Sequence, residues 1–117
     1  MGEKVTIEMI AGAVADVWGV SVASLRGPRR FPALVDPRHI AFALARKHTA
    51  HSLPVIGQWF GDRDHTTVIN GIRRFEQILL ERDRDLIAQV ERLIEQRRKA
   101  IFVRGQIMTF RSVRSAA

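Results

Sequence analysis

The feature that most constrains this chain is a pair of helical patterns, a short one and a longer one, separated by one glycine-containing turn. Ser52 is a suitable cap for the first helix and Asp64 for the second, and residues 61–63 (Gly-Asp-Arg) lie between them. Apolar residues recur at intervals of three and four in both segments. They are Leu53, Ile56 and Phe60 before the turn, and Val68, Ile72, Phe75 and Leu79 after it. Two helices joined in this way predict a helix-turn-helix.

The rest of the chain also shows helical periodicity. Thr6 can cap a first helix that ends at Gly19, and Ser21 can cap a short one that breaks at Gly27. Asp36-Pro37 is a strong start signal for a helix reaching about Thr49, which leaves residues 29–32 as an exposed basic loop. A last amphipathic helix is predicted from about Asp83 to Arg98, with the apolar stripe Leu86, Val90, Leu93 and Ile94. The fold class is therefore all-α, a compact helical bundle with a long C-terminal helix.

The charge distribution divides the chain into a domain at residues 1–98 and a basic tail at residues 99–117. The net charge is +7, but residues 97–117 hold six of the 19 basic residues and no acidic one. Residues 1–96 hold the other 13 and all 12 acidic residues, a net of +1. The tail has three interpretations: a disordered arm that strengthens binding to any DNA, an unstructured terminus without a role, or a strand that pairs with another copy. The strand would contain Ile101, Val103, Ile107 and Phe110.

Several classes of function are excluded by composition. The chain has no cysteine, and its four histidines lack the spacing of a metal site, so we expect no metal or other cofactor. It contains no G-x-x-x-x-G-K-[ST] loop, so we expect no nucleotide binding and no enzymatic activity. It has neither a long apolar run nor a signal peptide. These observations predict a cytoplasmic protein with no membrane partner.

The start of the second helix of a helix-turn-helix enters the major groove, so the residues there are the candidates for base contacts. Asp can accept from the cytosine amino group, His can donate or accept, and a threonine methyl can contact the methyl of thymine. Asp64 also has a purely structural interpretation as a helix cap. We predict that Trp18 and Trp59 belong to the core rather than to a base-stacking surface. The candidates are Arg63, Asp64, His65, Thr66 and Thr67.

Three segments of the chain carry distinctive motifs: DRDHTTV at residues 62–68, DPRHIAFALAR at residues 36–46 and HSLPVIG at residues 51–57. The first is similar to the signature of the DNA-binding domain of the DnaA family of bacterial replication initiators. Residues 36–46, DPRHIAFALAR, resemble its helix of the type R-P-R-x-x-A-M-A-L-A-K, and residues 51–57, HSLPVIG, resemble its x-S-L-P-x-I-G. The resemblance extends over roughly residues 5–97. It implies an asymmetric nine-base, A/T-rich target related to TTATCCACA.

The resemblance also implies a role for individual residues. Asp64, His65 and Thr66 would face major-groove base edges, and Leu53 and Pro54 would approach thymine methyls. Thr67 and Arg46 would hold the phosphate backbone, and Arg30, with Arg29 beside it, would enter the adjacent minor groove. The loop departs from the family pattern at Pro28, Phe31 and Pro32. Arg63 and Arg73 are further candidates for phosphate contacts, although Arg73 and Arg74 are equally well interpreted as solvated surface residues.

The favoured hypothesis is a sequence-specific binder of double-stranded DNA that regulates transcription or replication initiation by occupancy, without ATPase activity. The start at Met1 and the tail favour a free-standing protein over an excised domain. The initiator itself or another copy of the chain is a further expected partner. The alternative is a protein-interaction or non-specific architectural module that binds DNA through its basic tail.

Overall fold

A computed structural model describes residues 4–28 and 31–106, with side chains up to residue 100. The described residues contain helices and no strand, which confirms the predicted all-α class. A π-helical segment, Phe75–Leu79, lies between the fifth and sixth helices. The helices are α1 (Ile7–Trp18), α2 (Val22–Arg26), α3 (Pro32–His48), α4 (Leu53–Trp59), α5 (His65–Arg74), α6 (Leu80–Arg82) and α7 (Arg84–Gln106).

The predicted caps of the first two helices are confirmed. The hydroxyl of Thr6 accepts from the backbone N–H of Met9 at 3.1 Å, and α1 ends at Gly19 with a left-handed φ of 70°. The hydroxyl of Ser21 accepts from the N–H of Ser24 at 2.9 Å. These short polar side chains satisfy N–H groups that have no partner inside the first helical turn.

The predicted start of α3 is wrong by five residues. Pro32 occupies the first turn of this helix, where proline needs no N–H partner, and Pro37 lies inside the helix. Asp36 is therefore not a cap, and its carboxylate instead pairs with Arg74 and Arg82. The predicted basic loop is correspondingly shorter: Pro32 is helical, while Arg29 and Arg30 lie outside the described residues.

The long segment after the helix-turn-helix turn is helical through Arg82, as its spacing predicted. Val68, Ile72, Phe75 and Leu79 are all buried. The regular spacing did not predict the change from α- to π-helical hydrogen bonding at Phe75–Leu79.

The C-terminal helix α7 is longer than predicted and crosses the boundary expected between residues 98 and 99. Its backbone is helical through Gln106, so the strand prediction is wrong for Ile101 and Val103. The remaining positions of that strand, Ile107 and Phe110, lie outside the described residues. On its buried side α7 carries Ile87 beside the predicted Val90 and Ile94, while Leu86 and Leu93 are only partly buried.

The core is organised around α3, which packs against α1, α2, α4, α5 and the π-helical segment. Phe42 of α3 and Phe60 after α4 are completely buried, with an edge-to-face contact and ring centroids 5.2 Å apart. Trp18 and Trp59 are partly buried against this core, as predicted. Because α5 packs directly on α3, the second helix of the helix-turn-helix is held by the centre of the protein. No helix of the described part is both long and apolar enough to cross a membrane.

Candidate DNA-binding interface

The turn between α4 and α5 has a backbone geometry that requires special residues. Gly61 has a φ of 91° and Asp62 a φ of 57°, both in the left-handed region. Glycine adopts this region without steric cost, and aspartate tolerates it better than most residues. A Cβ at Gly61 would also collide with the carbonyl oxygen of Arg26. The N–H of Arg63 donates to the carbonyl of Gly57 at 2.8 Å, which closes the turn.

Two buried glycines allow the helices to approach closely. A Cβ at Gly57 in α4 would collide with the carbonyl oxygen of Arg63. In α5, a Cβ at Gly71 would lie 2.8 Å from both His39 Cδ2 and Phe42 Cδ2. Glycine at these two positions therefore lets α4 approach the turn before α5 and lets α5 approach α3.

The predicted base-contacting residues lie together at the exposed start of α5. Asp64 Oδ1 accepts from the N–H of Thr66 at 3.2 Å, so Asp64 is the predicted cap. Its side chain is nevertheless 68% exposed, and that of His65 is 56% exposed. His65 Nδ1 lies 3.0 Å from Asp64 Oδ1, and Thr66 and Thr67 are exposed. The arrangement presents donors, acceptors and methyl groups on one rigid helix end, which is what reading base edges requires.

The start of α4 offers an apolar surface. The hydroxyl of Ser52 accepts from the N–H of Val55 at 3.4 Å, as the predicted cap should. Pro54 is exposed, while Leu53 is partly buried and packs against the core.

The predicted phosphate-binding residues differ in how they are held. Arg46, in the last turn of α3, and Arg73, in the last turn of α5, are exposed. Arg63 instead donates to the carbonyl of Phe60 and, over 2.7 Å, to the carbonyl of Gly27. Thr67 lines a cleft of about 250 Å³ with Val35, Arg38, His39, Phe42 and Arg63. Arg29 and Arg30, predicted to enter the minor groove, lie outside the described residues.

Sequence reasoning assigned no structural role to Arg38, which the fold buries almost completely. Only 4% of this residue is exposed, and its guanidinium donates to the carbonyls of Leu25 at 2.9 Å and Ser24 at 3.0 Å. Burial, together with the nearby charge of Arg63, lowers the pKa of Arg38 to about 10. Arg38 therefore joins the end of α2 to α3. Nothing in the sequence distinguishes it from the exposed arginines around it.

A further arginine packs against the helix-turn-helix. The guanidinium of Arg26 lies 4.2 Å from the centroid of the Trp59 ring, and its Nε donates to the Trp59 carbonyl at 2.8 Å.

Within the described ranges no three His, Asp or Glu side chains form a group that could hold a metal ion. The arrangement is thus one of basic and polar surface residues on a rigid helical framework.

The fold and this exposed helix end define the class of protein, a helix-turn-helix module. Residues 7–75, more than half of the chain, match the family described as "Bacterial dnaA protein helix-turn-helix". The chain belongs to this family.

The chain is similar to bacterial proteins over about two thirds or more of its own length. The chain is 40% identical over 78 residues to the chromosomal replication initiator protein DnaA of Roseobacter denitrificans, which is 67% of this chain and 17% of that protein. It is 39% identical over 90 residues to that of Ruegeria pomeroyi, 77% of this chain and 19% of that protein. It is 42% identical over 91 residues to that of Geobacter metallireducens, 78% of this chain and 20% of that protein. The chain thus spans no more than about a fifth of these relatives.

Proposed function

We propose that this chain binds double-stranded DNA in a sequence-specific manner, at sites of the type read by the DnaA family. It would act as a regulator of transcription or replication initiation by occupying those sites. The observation that carries this proposal is the exposed, capped start of α5, where Asp64, His65, Thr66 and Thr67 project from a helix packed on the core.

The first three of these residues are the proposed base readers. A carboxylate oxygen of Asp64 can accept from a cytosine amino group, and the imidazole of His65 can donate to or accept from a purine edge. The methyl group of Thr66 can pack against that of thymine. Because Asp64 also caps α5, its position relative to the helix is fixed before DNA is bound.

Residues from α4 would add apolar readout. Pro54 is exposed at the start of this helix, and Leu53 lies beside it. Thymine differs from the other bases in the major groove by its C5 methyl group, which gives these two side chains a contact on A·T pairs.

The proposed phosphate contacts come from residues of α5 and α3. Thr67 at the start of α5 and the exposed Arg46 and Arg73 can neutralise or hydrogen-bond phosphates. Arg63 remains a weaker candidate, because its guanidinium already donates to the carbonyls of Phe60 and Gly27.

The minor-groove contact is proposed from the sequence alone. Arg29 and Arg30 follow Pro28 in the sequence, and the narrow minor groove of A·T-rich DNA attracts arginine. This contact would extend the site beyond the bases that α5 reads.

Regulation by occupancy requires only the proposed contacts with DNA and no catalytic step. The 117 residues contain no phosphate-binding loop of the G-x-x-x-x-G-K-[ST] type. We therefore propose that the chain binds its sites without hydrolysing ATP. The proposed location is the cytoplasm, on the nucleoid. There it would compete or cooperate with the initiator, or with another copy of itself.

The test is fluorescence anisotropy with a labelled duplex containing TTATCCACA and a scrambled duplex of equal length, at one stated salt concentration near 0.15 M. The expected result is at least about a hundredfold tighter binding to the box, or roughly 2.7 kcal/mol. Equal affinity for the two duplexes would refute sequence-specific reading and favour a non-specific architectural module. No binding to either would favour a protein-interaction module.

A further inference from the structure

The carboxylate of Asp36 holds two arginines of the segment that begins with α5. Asp36 Oδ1 accepts from Arg74 Nη1 at 2.6 Å, and Asp36 Oδ2 accepts from Arg82 Nη2. Arg82 also pairs with Asp83 at 2.8 Å. Arg74 has a second contact, 3.3 Å from Nη1 to His39 Nδ1. Asp36 thus joins the start of α3 to the end of α5, the proposed recognition helix.

The carboxylate of Asp36 and its partner Arg74 are both partly shielded from water. Asp36 is only 25% exposed, and Arg74 is 33% exposed. Burial tends to raise the pKa of Asp36, but hydrogen bonds from Arg82 and Arg74 outweigh it and hold this pKa below its ordinary value. Because ion pairs that are partly shielded from water are screened less by salt, Arg74 is held more firmly than a typical surface arginine.

Arg74 lies on the same stripe of α5 as the proposed phosphate contact Thr67. The two positions are seven residues apart, which corresponds to an angular difference of about 20° and an axial distance of about 10 Å. Both face the first half of α3, since Thr67 shares a cleft with Val35 and His39 while Arg74 contacts Asp36 and His39. A DNA backbone that contacts Thr67 and runs along α5 would therefore pass beside Arg74.

We propose that Asp36 is a specificity-determining residue, which withholds Arg74 from DNA phosphates and thereby limits the affinity of the chain for DNA of any sequence. This inference rests on the DNA binding proposed above. Phosphate contacts add affinity without adding sequence information. On random DNA the protein can shift to reach as many phosphates as it can, whereas on its own site the base contacts fix the register. Withholding one arginine therefore weakens random binding more than specific binding.

The test compares Asp36→Asn with Asp16→Asn. Asp16 pairs with Arg97 between α1 and α7, so its substitution produces the same change in net charge and releases an arginine from a pair between two other helices. We expect Asp36→Asn to tighten binding to the scrambled duplex about fivefold at 0.15 M salt, with the salt slope steeper by about one. The ratio of box to scrambled affinity should fall. Asp16→Asn should change the scrambled affinity less than about twofold.

A second comparison does not depend on how well Asp36→Asn folds. Arg73→Gln removes the exposed neighbour of Arg74 and should make the salt slope of the otherwise wild-type chain shallower by about one. Arg74→Gln alone should leave that slope unchanged. If Arg74→Gln alone makes the slope shallower, Arg74 already contacts phosphate and the inference is overturned.

The outcomes separate this inference from the proposed function. A wild-type chain that does not distinguish the box from the scrambled duplex contradicts sequence-specific binding itself. A wild-type chain that does distinguish them, with Asp36→Asn indistinguishable from Asp16→Asn, overturns only the role of Asp36.

Discussion

The guanidinium of Arg63 donates to the carbonyl of Gly27 over 2.7 Å, which ties the turn before α5 to the end of α2. The same side chain donates to the carbonyl of Phe60 inside the turn. One arginine thus supports both the turn and the segment that leads towards Arg29 and Arg30.

Replacing Arg63 by alanine should destabilise the fold by about 1–3 kcal/mol, because two partly buried carbonyls lose a charged donor. Urea unfolding measures this loss. The stability of Arg63→Lys should lie between those of the wild type and Arg63→Ala, since an ammonium cannot reproduce the planar fork of the guanidinium. A variant of unchanged stability whose DNA binding loses about one unit of salt slope would instead show that Arg63 mainly contacts phosphate.

Gly71→Ala should destabilise the protein by about 1–3 kcal/mol, because the added methyl group meets His39 and Phe42 at 2.8 Å. Gly12→Ala is the matched control in another helix. There the added Cβ meets only the end of the flexible Arg97 side chain at 3.1 Å, and alanine favours helix by up to about 1 kcal/mol. Thermal denaturation of both variants checks the prediction, and equal melting temperatures would contradict it.

The stability of the chain should fall as the pH is lowered below about 6.5, the ordinary pKa of histidine. Burial lowers the pKa of His39. The positive charges of Arg74 and Arg38 act in the same direction, and the negative charge of Asp36 acts in the opposite direction. Between this lowered value and 6.5 the unfolded chain binds more protons than the folded one, so protonation favours unfolding.

Urea midpoints measured between pH 5 and 7.5 test this dependence. His39→Gln keeps an acceptor for Arg74 and should flatten the profile. Parallel profiles for the wild type and His39→Gln would show that His39 does not contribute.

His65→Ala and Thr66→Ala should each weaken binding to the box by roughly 1–3 kcal/mol and change binding to the scrambled duplex little. Arg46→Gln should weaken binding to both duplexes and make the salt slope shallower by about one. Gln89→Ala, exposed on α7, is the control for surface substitution. Anisotropy titrations at several salt concentrations distinguish these patterns, and loss of both affinities in His65→Ala would argue against base reading.

Local signals in the sequence predicted most of the helices and the cap at the start of α5. Thr6, Ser21, Ser52 and Asp64 each cap the helix that follows, because a cap is a contact over two or three residues. The exposure of the start of α5 follows from the same periodicity, since the apolar residues from Val68 onwards determine which face is buried.

What the sequence did not predict depends on contacts between distant segments. Asp36-Pro37 and Pro32 are both acceptable helix starts locally, and the helix begins at the earlier one while Asp36 pairs with Arg74, 38 residues away. Arg38 and Arg63 bind backbone carbonyls, which every residue carries, so no pattern of residue types marks their partners.

Gly71 has a consequence for the thermodynamics of recognition. Because its missing side chain lets α5 lie directly on α3, the recognition helix is already in place before any duplex approaches. The conformational entropy of that helix is lost when the chain folds and not when it binds, so a duplex that docks here meets a preorganised reader. In calorimetry such a reader gives a heat-capacity change set by the contact area alone, without the larger change that accompanies coupled folding.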